Sequence, residues 1–444
     1  MPGPARDSEP FESVADRLPS RPVGVFYLYV VSRSLAFTVP IYVVFYQSRG
    51  LSLAQFGLLE ATFTVAVLGF EFPTGYLADR IGRRNGLALA NALGAAGAVG
   101  YALAHSFPAF LVAVVVRAVG ATFSSGASDA WLYEMLADAD AEAEFARVSG
   151  RARALGLAGQ AGAALVGSRA YAVSHVLPWA LDAAALLGGA ALLLVAVPSE
   201  DAESNQKNAK GNKKEVQKAE NDSDPDSDGS DYLTPSEAVA VTRTALARPG
   251  LRAFVAYTAL FLGVVSSALL FVQPVSVEVL SIAPERLGTI YAGLTLVSAA
   301  AVSQTGRIEE VVGVEDWFRV APFLAGVGLV ALLAEPWLAL PLFFLLRALG
   351  ATSRPLADGR INDGIRSRGR ASVLSTVSML RSVAVAPLKI AAGALAVAAL
   401  PRMLAALGAV LLVGGGALAL WAAPLSVGRE SEAVRASTPA DGEG

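Results

Sequence analysis

Long apolar stretches separated by short polar turns run from Val23 to Pro424. A bilayer's hydrocarbon core is roughly 30 Å thick and takes about 20 helical residues to cross. Read outward from each charged turn, about twelve such spans fit: residues 23–47, 52–74, 86–104, 108–133, 152–171 and 177–198, then 252–279, 285–306, 317–334, 336–357, 371–397 and 402–424. The start, MPGPARDSEPFESVADRLPSRP, does not read as a signal peptide, because it is polar and the apolar run after it is long enough to span.

The pattern lapses once. Residues 199–234 are polar and of low complexity and predict a disordered cytoplasmic linker, either a solvated tether or a regulatory segment. Thr234, Pro235 and Glu237 then match an N-cap, a first-turn proline and a capping-box acid, which predicts a short surface helix ahead of the seventh span. The expected organisation is a tail (1–22), a six-helix bundle (23–198), the linker (199–234), a second bundle with its surface helix (235–424) and a tail (425–444).

Composition fits an all-α integral membrane protein: of 444 residues, 54% are hydrophobic and only 16% charged, and mean hydropathy is +0.51. With the amino terminus inside, outer loops hold only Arg49, Arg169, Arg286 and Arg402. The other side collects Arg80, Arg83, Arg84, Arg147, Arg151, Arg153, Arg366, Arg368 and Arg370 with the lysines near 210. Both termini are therefore expected in the cytoplasm and the chain in the plasma membrane. The net charge of −3 comes largely from the polar segments, and no basic face with interleaved aromatics predicts a nucleic-acid partner. Cysteine is absent, and His105 and His175 fall in predicted outer loops with nothing at metal-ligand spacing, so neither a metal nor a cofactor is expected.

The two sides of the linker repeat one another. Pro40 and Pro274, Gly57 and Gly288, Gly75 and Gly306, and RAVGAT at 117 against RALGAT at 347 pair at offsets of about 230 residues. GYLADRIGRR, after the second span, has a weaker echo in GRIEEVVG, after the eighth. In the first copy Gly75 and Gly82 permit close backbone approach or unusual turns, Asp79 can accept hydrogen bonds, and Arg80, Arg83 and Arg84 hold the turn at the membrane surface.

Two six-helix halves, a polar central loop and Gly-x-Leu-Ala-Asp-Arg-x-Gly-Arg-Arg between the second and third spans together resemble the major facilitator superfamily of secondary transporters. The resemblance implies twelve transmembrane helices in two pseudo-symmetric bundles that work by alternating access. It also implies that Gly75, Asp79, Arg80, Gly82 and Arg83 form a conformational latch between the halves on the cytoplasmic side. A purely topological role would explain the arginines but neither Asp79 nor the glycines.

At 1.5 Å per residue, Arg33, Arg117, Arg347, Arg381 and Glu60 lie roughly 13–16 Å from a membrane edge. An uncompensated charge at that depth costs at least about 2.5–3.5 kcal/mol, so these groups should face the interior and have partners. Members of the superfamily line their cavities chiefly with spans 1, 4, 7 and 10, which would turn Arg33, Arg117 and Arg347 inward. Guanidinium forks there, with Arg381, suit substrate binding of a carboxylate or phosphate, hence a small anionic cargo. The same arginines bonded to helix carbonyls, or paired with Glu60, Asp129 or Asp358, would be structural, and the residues leave both readings open. Desolvation suits Glu60 to carry a coupling proton, whereas a tight pair with Arg33 would make it structural. Glu71, Asp129, Glu134 and Asp358 lie near the cytoplasmic ends of their spans as a candidate gate, and Glu278, following Gln273 and Pro274, sits at the outer end.

Drug–proton antiporters of the superfamily often carry Gly-Pro on span 5, where Ala163 and Ala164 stand here, and the span-4 pattern around Arg117 and Gly120 also departs. Walker A, dinucleotide, GxSxG and HExxH motifs are missing, and Ser124, Ser125 and Ser128 lack a histidine partner, so an enzyme is not expected. The expected function is proton-coupled export of a small molecule by a monomer. The alternatives are uptake of an organic or phosphorylated anion, or a non-transporting membrane sensor with the same fold.

Overall fold

The computed structural model describes residues 20–124, 126–197, 247, 249–363 and 370–422. The expected linker, most of the surface helix and the carboxyl-terminal tail lie outside the described residues. The first half comprises α1 (Ser20–Ser34), α2 (Tyr42–Ser48), α3 (Leu53–Ile81), α4 (Arg83–Leu103), α5 (Phe107–Phe123), α6 (Ala127–Ala137), α7 (Phe145–Val173) and α8 (Leu177–Ala196). The second comprises α9 (Pro249–Leu269), a short helical segment from Val272 to Val279, α10 (Leu287–Ser303), α11 (Thr305–Val312), α12 (Val314–Ala331), α13 (Ala339–Asp363), α14 (Arg370–Ala396) and α15 (Leu400–Ala422).

Nine helical stretches among the described residues are long and apolar enough to cross a membrane. The other three expected spans are interrupted or charged: α1 and α2 are separated, α7 carries four arginines counting Arg147, Arg151, Arg153 and Arg169, and α12 opens with Glu315 and Asp316. Three expected continuous spans are broken, the one at 252–279 where α9 ends at Leu269 and the chain turns before Val272. In the first, Pro40 has no N–H and disfavours a helical residue before it; the helix lapses between Ser34 and Tyr42. In the span at 108–133, Gly126 in the left-handed region (φ 73°) separates α5 from α6.

The turn in GYLADRIGRR is also shorter than its composition implies. Nothing between Thr74 and Ile81 interrupts helix formation, so α3 runs through Gly75, Asp79 and Arg80, and only Gly82 forms the joint to α4. Gly82 has φ 80° and ψ 153°, and Gly313, between α11 and α12, has φ 77° and ψ 152°. That conformation is essentially restricted to glycine, and its recurrence fixes the alignment of the two copies at Gly82 and Gly313.

The halves meet at two symmetry-related crossings. Gly57 of α3 lies against α14, where an added Cβ would stand 2.6 Å from the Lys389 carbonyl oxygen and 2.9 Å from Gly393 Cα. Gly288, at the start of α10, lies against α7, where a Cβ would run into the Ala164 carbonyl and the Ser168 hydroxyl. In lipid, helices associate through such close packing rather than through a hydrophobic force, which is why small residues occupy the crossings. Both lie toward the end of the bundle opposite Arg83 and Arg84; the arginine-rich end is called the basic end below, and the other the far end.

Candidate functional site

At the far end the interrupted first span is held by side chains of other helices. Non-helical backbone within a membrane protein needs new partners for its polar groups. Asp182 of α8 accepts hydrogen bonds from Phe37 N at 2.7 Å and Thr38 Oγ1 at 2.5 Å. Fully buried Gln273 reaches across from the second half. Its Oε1 accepts from Val43 N at 2.8 Å and Val44 N at 3.3 Å, while its Nε2 donates to Val39 O at 2.8 Å. Gln47 Nε2 donates to Glu278 Oε1 at 2.7 Å, nearer the far surface. Behind α2, the rings of Phe45, Tyr46, Tyr101, Phe110 and Trp179 interlock, with Tyr101 and Trp179 centroids 4.8 Å apart. A seven-residue helix is too short to be stable alone; α2 is held by this packing and by Gln273.

Beneath that closure lies a cavity of connected pockets. The one that borders the closure, about 280 Å³, is lined by Tyr42, Tyr46, Glu60, Phe63, Tyr101, Arg117 and Tyr291, among others. One of about 440 Å³ holds Arg347 and Arg354; one of about 390 Å³ holds Arg354, Asp358, Arg381 and Lys389; and one of about 370 Å³ runs along α3 past Glu60 to Glu71. Together their described lining carries five cationic and three anionic side chains.

Of the pairings left open by the sequence, Arg381 with Asp358 is present and Glu60 with Arg33 is not. Glu60 does not meet Arg33: its Oε2 is 3.5 Å from Lys389 Nζ, on α14 of the other half, and Lys389 also donates to Thr64 Oγ1 at 3.1 Å. Arg33 instead donates to Asn91 Oδ1 at 3.1 Å and Ser124 Oγ at 2.7 Å, tying α1 to α4 and to the break after α5. Arg381 pairs with Asp358 and donates to Thr258 Oγ1 at 3.4 Å. No carboxylate pairs with Arg117, Arg347 or Arg354 among the described residues.

At the basic end the ion pairs among the described residues stay within a half. Arg83 meets Glu134 at 2.7 Å, Arg153 meets Asp129 at 3.7 Å, and Arg360 meets Glu315 at 3.1 Å. Arg80 stacks over the Tyr76 ring, 4.8 Å from its centroid. A Cβ on Gly75 or on Gly306 would meet open space, the reverse of Gly57 and Gly288. The far end is closed by direct contact between halves, and the cavity lies on the basic side of that closure.

The family model of the Major Facilitator Superfamily matches residues 23–386. The chain belongs to the major facilitator superfamily. Solved structures of similar fold include a nucleoside transporter, NupG, at 13% identity over 90% of this chain and 98% of that one with a TM-score of 0.65. A bacterial homolog of the human lysosomal transporter Spinster, in an inward-facing and occupied conformation, aligns at 16% identity over 96% of this chain and 99% of that one, with a TM-score of 0.66. A D-xylose–proton symporter aligns at 14% identity over 91% and 97%, with a TM-score of 0.63. No curated protein matches by sequence.

The superfamily's multi-pass transporter fold thus places the expected residues in three groups. Arg117, Arg347, Arg381 and Glu60 line the cavity; Arg33 lies among α1, α4 and α5 in none of the pockets above. Gly82, Arg83, Asp129 and Glu134 are at the basic end, with Gly75 and Arg80 on the last turns of α3; Asp79 is helical there, and its side chain lies outside the described residues. Glu71 and Asp358 face the cavity itself. Sequence reasoning passed over Asp182, Lys389 and Arg354. Each is a charge isolated within an apolar stretch, in ALDAA, PLKIA and TSRPL, which is itself the signal of a buried functional or structural group. The two histidines take local roles, His105 bonded to Arg49 and His175 stacked on Tyr171.

Proposed function

We propose that this superfamily member is a secondary active transporter that exports a small organic anion across the plasma membrane by alternating access, coupled to proton entry. The observation that carries the reading is the cavity itself: more cations than carboxylates, closed at one end by contacts between halves and bordered at the other by pairs confined to each half. The basic end is then cytoplasmic by the bias of Lys and Arg, with both termini and the linker on that side. Rocking the halves would part the Gly57 and Gly288 crossings and bring the ends near Gly75 and Gly306 together, the motion expected of parallel repeats about a fixed site.

Export agrees with the electrical driving force. Moving one charge through the membrane potential is worth about 2.3 kcal/mol per 100 mV, so an anion leaving and a proton entering a negative-inside cell are both favoured. Glu60 is the proton carrier, with Lys389 its partner in the deprotonated state; protonation of Glu60 releases the one ion pair that joins the halves among the described residues. The decisive experiment is flux of radiolabelled anionic and neutral solutes from proteoliposomes under imposed pH gradients. Gradient-dependent efflux of an anion supports the reading, and high-affinity binding without any flux would make the protein a sensor instead.

A further inference from the structure

Arg347 and Arg354 are left over after the charges of the cavity have been paired. They are seven residues apart on α13, two helical turns, and so project from one face. Both line the 440 Å³ pocket with the hydroxyl-bearing Ser266 of α9 and Ser298 of α10. The nearby carboxylates are engaged elsewhere: Asp358 with Arg381 and Glu60 with Lys389. The Arg347 Nε is buried without a hydrogen-bond partner, and Arg347 and Arg354 line the same pocket. Two guanidinium groups on one pocket wall, the Arg347 side half-buried and the Arg354 side exposed, are unfavourable neighbours unless an anion joins them.

The chemistry of that anion follows from the donors. Two forks and two hydroxyls present more donors than the two oxygens of a carboxylate can accept, whereas a phosphate monoester offers three terminal oxygens and nearly two negative charges. That charge matches the excess of two cations in the described lining. Leu269 is shared with the 280 Å³ pocket, where Tyr42, Phe63 and Tyr291 offer ring surface beside Arg117, a setting for a flat ring rather than an aliphatic chain.

Resting on the carrier reading above, we propose that the cargo is an aromatic phosphate monoester, its phosphoryl group seated between Arg347 and Arg354 and its ring in the tyrosine-lined pocket. The test is equilibrium binding to the purified full chain in detergent, with phenyl phosphate, benzoate and inorganic phosphate as probes. Phenyl phosphate should bind at least about tenfold tighter than either of the others, and Arg347→Gln and Arg354→Gln should each weaken it by about tenfold or more, the loss expected for a hydrogen bond to a charged group. Benzoate binding should change less. Arg354→Lys, which keeps the charge but not the fork, should fall between wild type and Arg354→Gln, and a monodisperse elution profile checks that each variant folds. Phenyl phosphate binding no tighter than benzoate, or unaffected by both Gln substitutions, overturns the proposal. Flux of another anion in the proteoliposome assay would then show that only the cargo class is wrong, whereas loss of all flux would overturn the carrier reading as well.

Discussion

Gly57→Ala tests the closure of the far end most directly. The new Cβ would stand 2.6 Å from a backbone oxygen and 2.9 Å from a backbone carbon of α14, where ordinary contact begins at 3.4 Å. Because neither obstacle is a flexible side chain, α3 and α14 must separate by about 0.8 Å at their crossing, the difference between those distances. Overpacking of this kind costs roughly 1–3 kcal/mol, and the cost falls only on the state in which the helices touch. The equilibrium should shift about 5- to 150-fold toward the state closed at the basic end. The chain has no cysteine, so spin labels can be attached to Leu77→Cys on α3 and Val311→Cys on α11 without prior substitution. Electron–electron distance measurements should show a shorter population growing in the Gly57→Ala background. Gly69→Ala, on the same helix with open space around its Cβ, should leave the distribution unchanged. Equal distributions for Gly57→Ala and wild type would refute the argument that this crossing holds the far end shut.

Three further outcomes are expected. Asp182→Ala strands the Phe37 N–H and the Thr38 hydroxyl, a loss of about 1–3 kcal/mol that should appear as a lower thermal unfolding midpoint in detergent. Glu60→Gln and Lys389→Gln each leave a half-buried charge unpaired, so each should destabilise more than the double substitution does; a double-mutant cycle in unfolding with additive effects would refute direct coupling. Gly82→Ala and Gly313→Ala place a side chain in a backbone conformation closed to it, at about 1–3 kcal/mol each, whereas Glu134→Ala should barely move the midpoint because its pair with Arg83 is largely exposed.

The repeat was readable because it rests on positions where chemistry leaves little choice. Pro40, Gly57, Gly75 and Gly82 have counterparts near the same offset, and the structure gives Gly57 and Gly288 equivalent crossings and Gly82 and Gly313 the same backbone conformation. The helix break near Pro40 was missed because hydropathy sums over a window and is blind to one residue without an N–H; the groups that stabilise the break, Asp182 and Gln273, are far away in sequence. Arg381 does pair with Asp358, one of the partners the sequence offered, but the partner of Glu60 was missed for the same reason. Arg33 and Glu60 looked like neighbours because their spans are consecutive, yet Glu60 meets Lys389, 329 residues further along. Depth in the membrane can be counted from a sequence, but which face of a helix meets which partner depends on how the halves dock.

The two glycine crossings carry a consequence for how the molecule opens. One joins α3 to α14 and the other α7 to α10, so each half grips its counterpart at two separate places. A rigid half cannot lift from one without prising at the other, just as a lid with clasps on both edges does not swing while either is fastened. Release at the far end should therefore be all-or-none, and a leak through one edge alone is discouraged by the build of the bundle rather than by a dedicated plug.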